Sequence, residues 1–191
     1  FAKQTSSQTD KLGSLFYADV MERKSQAILV VRESLTQFTM AKLVPDQKAD
    51  TLKQALVEML LPVLHGAGAK VRTDNAPAFQ TIAADAARPG TVWAQLNIRV
   101  ELGRTHNPNK VAVIDNAIKE LHKELLRAGK SGSVVTQIDL SMIVKRMNTR
   151  VRGRKYSAQE MLLRRNMMDM SEIDPQDDVL AKQQNEARQA Q

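Results

Sequence analysis

Leu15-Phe16-Tyr17-Ala18-Asp19-Val20 is a run of β-prone residues interrupted by a single acid. Two more short apolar runs follow at 26–32 and 38–44, each bounded by polar turn residues, and the three together read as an antiparallel meander. Asp46 or Asp50 is placed to cap a helix whose Leu52, Leu56, Met59, Leu60 and Val63 keep helical spacing, with Gly66 to end it. Residues 69–73 read as a fourth strand, a short helix starts after Pro77, and residues 98–102 read as a fifth strand. A loop containing Gly103, Asn107, Pro108 and Asn109 precedes a helix with Ile114, Ile118, Leu121 and Leu125 on one face. Further helical patterns run from about Val134 to Thr149 and from Ser157 to Asn166. The order β-β-β-α-β-α-β-α-α predicts an α/β domain with a mixed sheet.

The chain of 191 residues divides by composition into a polar arm at 1–13, a core at 14–170 and a tail at 171–191, the tail either helical or disordered. Hydrophobic residues at 42% and charged residues at 26% are the balance of a chain that buries a core. No apolar run reaches the roughly 18 residues of a membrane span, so no membrane role is expected. Cysteine is absent and His65, His106 and His122 lack ligand spacing, which excludes disulfides and a structural zinc module within these residues. With Phe first and no signal peptide visible, the chain is expected to be a piece of a longer polypeptide.

The net charge of +7 is unevenly spread. Between Arg104 and Arg165 there are 14 Lys and Arg against 5 Asp and Glu, whereas the remainder holds 14 against 16. A basic excess confined to one half points to a docking face for a polyanion. Against it stand three acids in particular settings: Asp19 in the first run, Asp74 directly after the fourth, and Asp115 at the start of a helical pattern. Two strand-borne carboxylates and one helical carboxylate are the hard oxygen donors that a pair of divalent cations needs at a phosphodiester.

Several motifs in order carry a likeness to a known family. They are Phe16-Tyr17-Ala18-Asp19-Val20, Ala27-Ile28-Leu29-Val30-Val31-Arg32-Glu33, Val71-Arg72-Thr73-Asp74-Asn75-Ala76-Pro77-Ala78-Phe79, Glu101-Leu102-Gly103-Arg104 with Asn107-Pro108-Asn109-Lys110, and Ala117-Ile118-Lys119-Glu120-Leu121. This series, covering residues 15–166, resembles the catalytic core of retroviral and LTR-retrotransposon integrases, within the DDE polynucleotidyl transferases, with the BEL/Pao type the nearest likeness. The resemblance implies an RNase H-like fold with a five-stranded mixed sheet flanked by helices. It implies a triad of Asp19, Asp74 and Asp115 holding two Mg²⁺ ions, with Mn²⁺ as substitute. It implies 3′-processing of element ends and strand transfer into double-stranded target DNA. A homo-oligomer, dimer or tetramer, in the host-cell nucleus is expected on the same ground.

Two departures from the family pattern stand out. Residues 75–114, 40 in all, separate Asp74 from Asp115, more than in the family, and the excess fits an insertion around residues 88–93. The third acid is Asp where the family has Glu, shorter by one methylene, while catalytic geometry tolerates only about 0.5 Å. A domesticated or impaired core that binds DNA or protein without turnover is therefore the second reading, and an RNase H-type nuclease the third.

Each site has a plainer reading. Asp19 suits an ordinary turn at a strand end, Asp74 suits a cap for the helix begun by Pro77, and Asp115 suits the positive end of a helix dipole. Glu120 is five residues beyond Asp115, turned about 140° around the helix, and is set aside as a ligand. Lys119 and His122 share a face with Asp115 and, with Lys123, form a candidate DNA footprint. Arg104, His106, Asn109 and Lys110 on the loop, and Arg150, Arg152 and Arg154 near a helix end, complete the DNA-binding candidates. Trp93 and Tyr156 read as packing residues, and Met161, Met167, Met168 and Met170 as hydrophobic filling or an oligomer interface.

Overall fold

The computed structural model describes residues 11–103, 112–130, 132–151 and 156–173. Its centre is β1 (Leu15–Arg23), with β2 (Gln26–Glu33) and β3 (Thr39–Val44) antiparallel on one side. On the other side β4 (Ala69–Thr73) and β5 (Ile98–Leu102) run parallel, giving the order β3-β2-β1-β4-β5. β4 and β5 keep the limits expected from sequence, whereas β1 continues past Val20 to Arg23. The β1–β2 turn explains the extension: Lys24 and Ser25 both adopt positive φ (49° and 60°), and such a two-residue turn follows the right-handed twist of the strands.

Alternation along β1 divides the interior into two layers. Phe16 and Ala18 join Leu29 and Val31 against α1 (Ala49–Leu60), α2 (Pro77–Ala86) and α3 (Val92–Gln95), which contribute Leu52, Leu56, Phe79, Ile82 and Trp93. Leu15, Tyr17 and Met21 join Ile28 and Val30 against α4 (Ala112–Arg127) and α5 (Gln137–Thr149), which supply Ile114, Ala117, Leu121, Leu140, Ile143 and Met147. Burial on both sides is why residues 28–31 of β2 are all apolar. Each fully buried Leu, Ile or Phe contributes about 1.5–3 kcal/mol relative to exposure. A smaller cluster of Leu12, Leu35, Met161 and Leu162 seats α6 (Ala158–Leu163).

Local chemistry moved several helix limits. Neither Asp46 nor Asp50 caps α1; Lys48 holds the cap position without a side-chain bond, and Asp46 Oδ1 accepts the Lys48 N–H instead. The end of α1 tightens into a 3₁₀ turn, Leu61–Val63, before Gly66 is reached. α5 starts at Gln137 because Thr136 and Asp139 form a reciprocal capping box, and Ser157 with Glu160 does the same for α6. α6 stops at Leu163, where Arg164 turns left-handed. Ala117 rather than Ile118 carries the buried stripe of α4, alongside Ile114, Leu121 and Leu125. Trp93 is fully buried in α3, in the segment read as an insertion, in keeping with a packing role.

β3 is an edge strand, and α5 occupies its free side with two amides. Asn148 Oδ1 accepts the Thr39 N–H while its Nδ2 donates to the Thr39 carbonyl. Gln137 Oε1 accepts the Leu43 N–H, and its Nε2 donates to the Ala41 carbonyl. These side chains stand where a sixth strand would pair.

Candidate functional site

β1 and β4 pair through Leu15 with Lys70, Phe16 with Val71 and Tyr17 with Arg72. The same register carried two places further sets Asp19 beside Asp74, just past the last residue of β4. Asp19 lies within β1, still paired with Val30 of β2, rather than at a strand end as its sequence setting suggested. It shares the side of β1 that Leu15, Tyr17 and Met21 turn toward α4. In α4, Ile114 and Ala117 are buried against that layer, and Asp115 lies between them, half-buried.

The electrostatics join the three acids. Burial pushes the Asp19 carboxyl up to about 6, a bond from the Val20 N–H to Oδ1 offsets part of the rise, and the Asp74 and Asp115 carboxylates add to it. Among the described residues none of the three is in an ion pair. Asp74 is exposed and its Oδ1 accepts the Ala76 N–H at 3.0 Å, ahead of Pro77 at the start of α2. Asp74 thus braces the residue ahead of α2 without capping the helix, since Ala76 holds the cap position with no side-chain cap bond, and its other carboxylate oxygen is free of protein bonds among the described residues. Also among them, no three His, Cys, Asp or Glu side chains draw together closely enough to enclose a metal ion. The donor set nevertheless fits a hard divalent cation: three carboxylates, one raised chiefly by burial and further by the other two, with no cation paired to any among the described residues.

The remaining candidates separate. Lys119, His122 and Lys123 are exposed on α4, Lys119 one turn beyond Asp115. Glu120 turns away to Arg32 of β2, its Oε2 2.7 Å from the guanidinium. Arg150 follows α5 and its Nη2 donates to Glu124 Oε1 at 2.7 Å. Burial alone would raise the Glu124 carboxyl, but the Arg150 and Arg127 guanidiniums beside it hold it below the usual range. Arg150 is therefore partly neutralised on this carboxylate while remaining open to solvent. Arg104, His106, Asn109, Lys110, Arg152 and Arg154 lie outside the described residues.

One neighbour of the site went unread in the sequence. Arg72, two residues before Asp74, is held by Glu101 of β5 (Nε–Oε2 3.1 Å) and by the Tyr17 hydroxyl (3.4 Å). The signal was the alternation Lys70, Arg72, Asp74, which puts all three on one side of β4.

A mixed five-stranded sheet in this order, with helices on both sides, is the RNase H-like fold of integrase catalytic cores. Among solved structures the catalytic core domain of BIV integrase is similar, with a TM-score of 0.59 and 19% identity over 79% of this chain and 94% of that one. No protein-family model matches the sequence, and no curated protein does.

Proposed function

We propose that this chain is the catalytic core of a retroelement integrase, BEL/Pao-like, acting in the nucleus on element ends and target DNA. The observation that carries the reading is the register that sets Asp19 beside Asp74 at one end of the β1–β4 pair, with the Asp115 carboxylate near enough to act on Asp19, within a fold of the integrase-core type. Asp19, Asp74 and Asp115 would hold two Mg²⁺ ions, or Mn²⁺, which when bound supply an activated attacking oxygen and a stabilised leaving 3′-oxygen. Asp19 arrives on a strand paired on one flank with β2 and on the other with β4, so its position is fixed before metal or DNA binds. Asp74 is oriented by the Ala76 N–H, and Asp115 by the buried residues on either side of it. Lys119, His122 and Lys123 would meet DNA phosphates beside the acids. A homo-oligomer accords with Val134, Ile138 and Met142, which lie four residues apart and are 66%, 73% and 61% exposed.

Strand transfer of a pre-processed, labelled oligonucleotide into plasmid DNA tests the reading. Activity in Mg²⁺ or Mn²⁺ is expected, and Asp74→Asn should lower it by about a thousandfold or more, the scale of several kcal/mol of lost charge stabilisation. Asp115→Glu should restore the family's reach and raise the rate about tenfold. A chain inactive in both metals that gains no activity from Asp115→Glu, yet binds DNA in a salt-sensitive way, would support the second reading. That reading, a core that binds without turnover, is favoured by the shorter acid at position 115.

A further inference from the structure

The side of the sheet that holds Asp19 is covered unevenly. α4 and α5 lie over β1, β2 and β3, where the strands present Tyr17, Met21, Ile28 and Val30. On the same side β4 and β5 present Lys70, Arg72, Arg99 and Glu101, while their opposite residues Ala69, Val71 and Ile98 are buried under α2 and α3. Arg99 is exposed, and the Lys70 and Glu101 side chains keep 41% and 36% of their exposure. The polar half of this face adjoins Asp74, which continues the same alternation of β4.

The charges are arranged for something other than each other. The parallel register sets Lys70 directly beside Arg99, and like charges opposite one another in a sheet are unfavourable. Glu101 is the one acid of the group and is shared, by Arg72 at 3.1 Å and Lys70 at 3.4 Å. Arg99 has no ion-pair partner among the described residues. The group thus holds two positive charges beyond its acid, on a surface that runs along β4 into Asp74. Its spacing also fits a polyanion: Lys70 and Arg72 are two residues apart, about 6.6 Å along a strand. Two nucleotides of one DNA strand rise about 6.8 Å, one charge per 3.4 Å or so.

We propose that the open face of β4 and β5, with Lys70, Arg72 and Arg99, is a phosphate track that guides one strand of duplex DNA toward Asp74. The proposal rests on the nucleic-acid reading above and names a surface on the sheet, apart from the helix and loop candidates. Arg72 is the inner contact, pre-oriented by Glu101 and the Tyr17 hydroxyl, and Lys70 and Arg99 are the outer ones.

Binding of a fluorescent DNA duplex to the full chain, with EDTA and no divalent metal, tests it across a salt series. Lys70→Gln with Arg99→Gln should flatten the slope of log K against log salt by nearly 2, since each lost phosphate contact removes about 0.9. The double variant Lys24→Gln with Lys48→Gln removes the same charge from exposed positions on the turns after β1 and β3, and should leave the slope nearly unchanged. Circular dichroism melts establish that both variants fold. An equal loss in the two double variants, or an unchanged slope in the first, overturns the track and leaves the nucleic-acid reading standing. A wild-type chain that binds no duplex overturns both.

Discussion

Two ends of one sheet draw a carboxylate out of water, one fully and one in part, and treat it in opposite ways. At the end of β2, Glu33 is fully buried, and its oxygens accept from the N–H groups of Gly13, Leu35 and Thr36 and from the Thr36 hydroxyl. Burial still lifts its carboxyl above the usual range, against the pull of those donors. At the β1–β4 end, Asp19 has one local N–H and faces two further carboxylates. A buried acid surrounded by donors is a joint, here tying the segment before β1 to the β2–β3 turn. One short of donors and facing its own kind waits for a proton or a cation.

The contrast breaks first, and most visibly, at Glu33. Glu33→Ala strands four buried donors, each worth about 1–3 kcal/mol when unsatisfied, with water recovering part of the loss. A net destabilisation of about 3 kcal/mol or more is expected in urea melts, without change in the denaturant slope. Gly13 sharpens the point: it holds a φ of +74°, and a Cβ there would sit 2.4 Å from the His65 ring, so the donor chain approaches Glu33 through a position open only to glycine. A loss under about 0.5 kcal/mol would make Glu33 an incidental acid, within the range of ordinary surface changes.

A smaller loss is expected on the same structural side of the comparison, at Asn148. Its side chain is buried and bonds both the Thr39 N–H and the Thr39 carbonyl, so Asn148→Ala leaves both groups at the β3 edge unpaired. About 2 kcal/mol should be lost. Gln137→Ala, at the wetter end of the same edge, should cost well under half of that. Light scattering provides the second readout, because an uncovered edge strand is a template for pairing with another chain.

The sequence carried the frame of this molecule more readily than its joints. Five strands and the main helices were legible because alternation and helical spacing are local signals, and β4 and β5 end where turn residues dictate. Asp19, Asp74 and Asp115 stood out for their settings, but the placing of Asp19 beside Asp74 is a matter of register between β1 and β4, which no local pattern states. Glu33, Glu124 and Asn148 were opaque for the same reason. Glu33 looked like one more polar residue after a strand, and its donors Gly13 and Thr36 flank β1 and β2 from outside. Glu124 sits on an amphipathic helix where acids are common, and only packing shows it buried between Arg127 and Arg150. Asp46 misled in the opposite sense, since an Asx turn onto the Lys48 N–H competes with capping for the same side chain.

The finest test lies in the pH dependence of Asp19. Its folded carboxyl titrates near 6 against an ordinary value of 3.8, so between those limits the folded chain holds more protons than the unfolded one. Stability from this group therefore falls as pH rises from about 4 to about 6, and the full cost is present above that. Asp19→Asn removes the cost: its melting temperature should exceed that of the wild type by a few degrees at pH 7.5, taking about 2–4 °C per kcal/mol for a chain of this size. The two should converge at pH 4, where the wild-type carboxyl is protonated. Mg²⁺ added at pH 7.5 should raise the wild-type melting temperature and move Asp19→Asn much less, because a bound cation settles the charge that the substitution deletes. Were Asp19→Asn less stable at every pH and the wild type indifferent to Mg²⁺, Asp19 would belong with Glu33 as a joint of the fold. The distinction between the two ends of the sheet would then be one of degree in hydrogen bonding, and no longer a mark of chemistry.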